Sequence, residues 1–266
     1  MNRRTGIMIG MLIVGYAQGI AGARAEMGAD EIARKAYNTA YYEGDDGRAT
    51  VEMTLTDRQE RTRKRKFQIL RYDIKDGGRQ KYYVYFREPA DVREMVYMVW
   101  KHVGSDDDRW LYLPALDLVR RIAASDKRSS FVGSDFTYED ISGRSVDLDS
   151  HELVSSEGGK YLLKNTPKDP DLVEFSYYLV SIDKETMMPV KAEYFDAQGE
   201  KYREINALEV KEIQGHPTII RQRADDLAAG SHTIVEFSDI EYDVGISEDI
   251  FTERYLRRAP RRWLDY

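Results

Sequence analysis

The chain has no cysteine among its 266 residues. No disulfide can staple it, no thiolate can attack a substrate or hold a metal, and no thiol can carry a lipid anchor. Its fold must therefore rest on its own core. Histidine is nearly as scarce: His102, His151, His216 and His232 stand singly, none with a partner at metal-ligand spacing. Asp106, Asp107 and Asp108 lack the glycine and spaced oxygens of a calcium loop, and read as a solvated hairpin turn. Gly133-Ser134-Asp135 is not framed as a G-x-S-x-G elbow, and no phosphate-cradling glycine loop occurs. These absences leave no cofactor, no metal and no enzyme to expect. Positive charge is also short, with 40 basic against 47 acidic residues and a net charge of −7. That balance argues against nucleic acid, which demands a basic face.

Long apolar runs are missing except near the start, where residues 7–16 (IMIGMLIVGY) follow Arg3 and Arg4 and precede Ala23-Arg24-Ala25. A positive n-region, a short apolar core and a small-x-small site read as a cleaved secretory signal over residues 1–25. The apolar run is too short for a bilayer, which needs about 20 apolar residues; an uncleaved anchor is the alternative reading. Cleavage removes 25 of 266 residues, including three arginines and no acid, so the net charge moves from −7 to −10. The remaining 241 residues, 26–266, are read as one domain, with no repeat, low-complexity block or linker inside.

What is present is strand pattern. Asp30 heads a helical stretch whose stripe is Ile32, Ala33, Ala36, Tyr37 and Ala40. Alternating segments follow at 48–57, 64–75 and 81–86, with an irregularity expected near Leu70. Residues 95–103, 109–113 and 119–122 continue the series. Further segments are expected at 151–155, 160–165, 176–182, 190–196, 201–210, 218–224 and 233–238, separated by glycine-bearing turns. A run of strands with no βαβ rhythm predicts a mainly β fold, a large antiparallel sheet or barrel. A final helix is expected at 249–257, with the Arg261-Arg262 tail loosely held. Residues 61–66 (RTRKRK) read as a solvated hairpin tip or as a docking patch for a membrane partner or lipid headgroups.

The organising stretch is 106–140, DDDRWLYLPALDLVRRIAASDKRSSFVGSDFTYED. Segments 96–100 and 109–113 are apolar on both faces, so something apolar must cover each side. Residues 133–143 read as a short helical lid, capped by Ser134 or Asp135 and stopped by Gly143. Nineteen tyrosines against eight phenylalanines suit a surface with one apolar and one wet side. Met53, Met95, Met98, Met187 and Met188 add pliable walls.

The runs WLYLPAL, VRRIAAS and SFVGSDFTYEDI resemble LolA-like periplasmic outer-membrane lipoprotein-sorting proteins, in the branch associated with RND-type (MMPL-like) lipid exporters. The resemblance extends over residues 29–266. It implies an incomplete antiparallel β-barrel with a helical plug and lid, enclosing an apolar cavity. It also implies a periplasmic carrier of a lipid or of lipoprotein acyl chains, working beside an exporter with transient membrane contact. A subunit that docks on an exporter and carries nothing is the alternative. On this reading the cavity is lined by Met53, Met98, Trp100, Trp110, Tyr112 and Leu113, and covered by Phe131, Phe136 and Tyr138. Arg120 and Arg121 point to opposite faces of a strand. Either they are an ordinary pair, one solvated and one packed, or one latches the lid through Asp135, Glu139 or Asp140.

Overall fold

Period-two alternation broken by turn glycines builds strands, and pairing them in sequence order builds meanders. The computed structural model describes residues 27–264, and the expected signal peptide at 1–25 lies outside them. Helix α1 (Ala29–Tyr41) comes first. A meander then runs through β1 (Asp46–Thr56), β2 (Thr62–Asp73), β3 (Gln80–Glu88), β4 (Val96–Lys101), β5 (Asp108–Leu113) and β6 (Leu118–Ile122). A connection over residues 123–148 carries α2 (Tyr138–Ser142). The second meander runs through β7 (Asp149–Ser155), β8 (Lys160–Pro167), β9 (Tyr177–Asp183), β10 (Pro189–Phe195), β11 (Lys201–Ile213), β12 (His216–Asp226) and β13 (Ser231–Tyr242). Helices α3 (Glu253–Arg257) and α4 (Arg261–Leu264) close the described chain.

All thirteen strands form one antiparallel sheet in the order β6-β5-β4-β3-β2-β1-β13-β12-β11-β10-β9-β8-β7. The first and last strands meet in its middle, where Val51 lies opposite Phe237 and Met53 opposite Val235. β6 and β7 are consecutive in the chain yet lie on opposite edges, so the barrel is not closed. Residues 123–148 must span from one edge to the other. They do so over the inner face, where Phe131, Phe136 and Tyr138 pack with Val51, Met53, Phe67 and Tyr97.

The outer face of β2–β5 is covered separately. Leu70, Tyr83, Met98 and Trp110 pack there against Ile246, Phe251, Leu256 and Leu264 from the C-terminal segment. This explains the two-faced apolarity of the central strands: the 123–148 connection covers one side and the C-terminal segment the other. A third cluster joins α1 to the second meander through Ile32, Ala33, Ala36, Leu163 and Ile182.

Several local expectations are corrected. α1 begins one residue before Asp30, with Gly28 as its cap and no side-chain capping bond. Asp30 instead sits in the first turn, where an acid complements the helix dipole. The N-cap of α2 is Thr137, not Ser134 or Asp135. Its hydroxyl accepts from the Asp140 amide while the Asp140 carboxylate accepts from the Thr137 amide, which is a capping box. Gly143 does stop this helix, at φ +76°. Leu70 causes no slip, since β1 and β2 pair one-to-one past it; it is simply an outer-face residue under the C-terminal segment. Residues 62–66 lie within β2, with the turn before them. The stretch expected as one helix over 249–257 is a 3₁₀ turn (Glu248–Ile250) followed by α3, and Arg261-Arg262 belongs to α4. That helix is tied down: Gln68 and Arg87 both donate to the Leu264 carbonyl.

Candidate functional site

Strand register lays out the inner face in rows, because residues directly opposite in an antiparallel pair share a face. One row is apolar. Leu163 faces Val180, Val180 faces Ala192, Ala192 faces Ile205, and the row continues through Ala224 and Thr233 to Leu55. The row beside it is polar and aromatic: His151, Asn165, Tyr178, Tyr194 and Arg203. A row on the other side runs Ala207, Gln222, Val235, Met53. Together with α1 and part of the 123–148 connection, these rows enclose a cavity of about 400 Å³.

The roof is set by small residues. Ala33, Ala36 and Ala40 on α1 line the cavity, as do the rings of Tyr37 and Tyr41. Arg71 donates to the carbonyls of Tyr41, Glu43 and Gly44, and Gln80 donates to Tyr41 O at 2.6 Å. The Tyr41 carbonyl is one that the helix end leaves open, and the other two belong to the turn that follows. Along β9–β12 the lining residues Val180, Ala192, Ile205 and Ile219 are only half-buried, so this flank meets solvent. The cavity volume is that of a site for one small or elongated apolar ligand.

The charged groups around the cavity are matched among themselves. Arg144 donates to Asp149 through Nε and Nη2, both at 2.9 Å, and Tyr178 Oη donates to the same carboxylate at 2.8 Å. Glu139 is 3% exposed and lies 3.1 Å from Arg128, 3.5 Å from Arg144 and 3.8 Å from Lys127. Arg203 Nη2 lies 2.5 Å from Asp140 Oδ2. Burial pushes the Asp140 carboxyl up, but Arg203, Arg128 and the Thr137 bonds outweigh it and hold it below the usual carboxylate range. Lys101 is buried and donates to the carbonyls of Ser142 and Gly143 at the end of α2. Burial is the main reason its ammonium is pushed down to about 8.

The sequence-expected residues separate by face. Met53, Phe131 and Phe136 line the cavity. Tyr138 packs beside them, its ring 5.1 Å from Tyr97 and 5.6 Å from Phe131. Leu113 faces the same side but packs on the Phe131 cluster outside the cavity. Met98, Trp100, Trp110 and Tyr112 lie on the opposite side of the sheet under the C-terminal segment. Trp110 and Met98 are register partners, so they share the outer face while Tyr97 and Leu111 take the inner one.

The three acids expected to take part in a latch are likewise held by other residues. Arg120 and Arg121 are both exposed; Arg120 lies 3.9 Å from Asp126, and Arg121 pairs with Asp108. Neither reaches Asp135, Glu139 or Asp140. Asp135 accepts from Ser231 and Thr233 on β13 at 2.5 and 2.6 Å, Glu139 meets Arg128 and Arg144, and Asp140 meets Arg203. One sequence signal points to these partners: Arg128 and Arg144 bracket residues 133–143. The α1 roof and the apolar row of β8–β11 also escaped the sequence reading as cavity lining.

A family model described as "Uncharacterized protein" matches residues 78–258. No curated protein matches the chain. A DUF1329 family protein from Desulfovibrio piger is 29% identical, with TM-score 0.79, covering 86% of this chain and 97% of its own. A protein domain from Vibrio parahaemolyticus described as outer membrane lipoprotein-sorting is 28% identical, with TM-score 0.77, covering 86% and 98%. A LolA superfamily protein from Nitrosomonas europaea has TM-score 0.66 at 19% identity, covering 86% and 100%. The chain belongs to the family whose model spans residues 78–258, and its fold is LolA-like.

Proposed function

We propose that this protein is a periplasmic, non-catalytic carrier that binds a lipid or lipoprotein acyl chain in the cavity and passes it between envelope membranes. The observation that carries the reading is the apolar row Leu163, Val180, Ala192, Ile205, which forms a wall open on one flank and roofed by the alanines of α1. Burying an acyl chain recovers about 0.8 kcal/mol per methylene, so a chain of about fifteen methylenes gains on the order of 12 kcal/mol over water. Such burial opposes release, so unloading needs a moving cover. Phe131, Phe136 and Tyr138 on the 123–148 connection are the cover in this account, and the ion pairs of Glu139 and Asp140 hold it in place.

The lipoprotein-sorting description of the Vibrio parahaemolyticus relative supports the cargo class. The resemblance of residues 110–141 to the exporter-associated branch supports an RND-type partner. Titration with a fluorescent acyl probe tests the carrier reading. Saturable binding that Ala192→Trp abolishes, with the sheet's circular dichroism intact, is the expected result. Absence of saturable binding by the native protein would remove the carrier.

A further inference from the structure

Two basic features far apart in sequence meet on the outer face. The first is β2, where Lys64 and Lys66 are exposed and share the face of Gln68 and Leu70. The second is the C-terminal segment, which has five arginines within nine residues: Arg254, Arg257, Arg258, Arg261 and Arg262, all exposed. They come together because the Leu264 carbonyl, at the end of α4, is held by Gln68 and Arg87. Gln68 is two residues from Lys66 along the strand, and Arg261 and Arg262 lie within one helical turn of Leu264.

Among the described residues, most of these basic side chains make no ion pair. Arg257 pairs with Asp117, and Lys64 with Glu52. Among the described residues, Arg254, Arg258, Arg261, Arg262 and Lys66 have no acidic partner within ion-pair distance. The acids near them include Glu253, exposed in the first turn of α3, and Glu88 and Glu52, which lie opposite Lys66 on its two neighbouring strands. Aromatic rings are interleaved: Arg262 lies 4.9 Å from the Trp263 ring, Arg254 5.9 Å from Tyr255 and Arg87 4.8 Å from Tyr85. A chain of net charge −7 has no general attraction to an anionic surface, so a local basic face would fix a single orientation.

We infer that this outer face, formed by Lys66, Arg258, Arg261, Arg262 and Trp263, docks the protein on a bilayer bearing anionic phospholipid headgroups. Arginine forks match phosphate geometry, and half-buried tryptophan and tyrosine suit the depth of the headgroups. An acidic protein surface would answer the charge but give no use to the rings. The face lies on the side of the sheet away from the cavity, so docking leaves the cavity flank clear. Docking through this face does not depend on what the cavity carries.

Vesicle sedimentation tests it, with phosphatidylcholine vesicles compared with vesicles containing phosphatidylglycerol. Native protein is expected to sediment only with the anionic vesicles and to be released as salt rises. Each basic residue near such a surface is worth about fivefold in partitioning, so losing three positive charges in the triple variant Arg258→Glu, Arg261→Glu, Arg262→Glu should alone cost about a hundredfold, and the three added carboxylates should deepen the loss. Lys75→Glu with Arg79→Glu, at the β2–β3 turn, should change little. The triple Arg→Lys variant keeps the charge and should keep binding to within a few-fold, guarding against a folding defect in the reversal. Sedimentation unaffected by the reversal, equal binding to neutral vesicles, or capture by polyglutamate with none by anionic vesicles would each overturn the inference.

Discussion

Arg203 on β11 and Asp140 on α2 form a buried ion pair, Nη2 to Oδ2 at 2.5 Å, joining the inner-face cover to the second meander. Arg203 also donates to the Asp135 carbonyl at 3.1 Å. Removing one member of such a pair leaves an uncompensated charge, which costs about 3–5 kcal/mol. Arg203→Ala should therefore lower the urea midpoint strongly. Arg120→Ala and Arg121→Ala, each removing an exposed guanidinium, should both fall within about 1 kcal/mol of the native protein. Equal midpoints for all three variants would remove the Arg203 anchor.

The two faces of the sheet should respond differently to substitution. Trp110→Ala empties a buried position under the C-terminal segment and should cost about 3–5 kcal/mol in stability. It should leave acyl-probe affinity near the native value, because Trp110 does not line the cavity. Ala192→Trp should do the reverse, keeping the fold and blocking the site. A Trp110→Ala protein that stays folded yet loses probe binding would contradict this division.

Asp73 gives the fold a pH signature. Its carboxylate accepts from Gln80 Nε2 at 2.8 Å and lies 3.5 Å from Arg71 Nε, while its other oxygen is buried without a partner. Burial, the largest cause, pushes it up to about 7 from 3.8. An acid raised in the folded state binds more protons folded than unfolded, so its effect on stability worsens as pH rises from 3.8 toward 7. Asp73→Asn should thus gain on the native protein over that window and hold a constant advantage above it. Thermal melts across the window check this, and parallel curves for the two proteins would show that Asp73 is not raised.

Gly143 is a position where backbone and packing both demand glycine. Its φ is +76°, and a Cβ there would stand 2.7 Å from the Tyr41 ring. Gly143→Ala should cost more than the roughly 1 kcal/mol of a simple left-handed strain, since α1 would have to shift. A melting temperature within a degree of native would show that the α1–α2 contact is soft.

The strand inventory was legible because it depends on local alternation and turn chemistry, as in 48–57 or the Asp76-Gly77-Gly78 turn. The side of each central strand that faces the cavity was not. Trp110 and Leu111 are equally apolar, and only the return of Phe251 and Leu256 from the chain end decides which face is inside. Ion-pair partners fail for the same reason. Arg120 and Arg121 lie near the lid acids in sequence, but Arg203 reaches Asp140 from 63 residues away through strand register that alternation cannot supply. The packing of Phe131 and Phe136 was legible because an apolar pair in a stretch that cannot be a strand must pack somewhere.

Mass spectrometry of organic extracts from the purified protein tests the carrier account most directly. The account predicts an acyl-bearing lipid recovered in near-stoichiometric amount from the native protein, retained in Trp110→Ala and absent from Ala192→Trp. A native protein that yields no lipid, or an Ala192→Trp protein that yields as much, would contradict it.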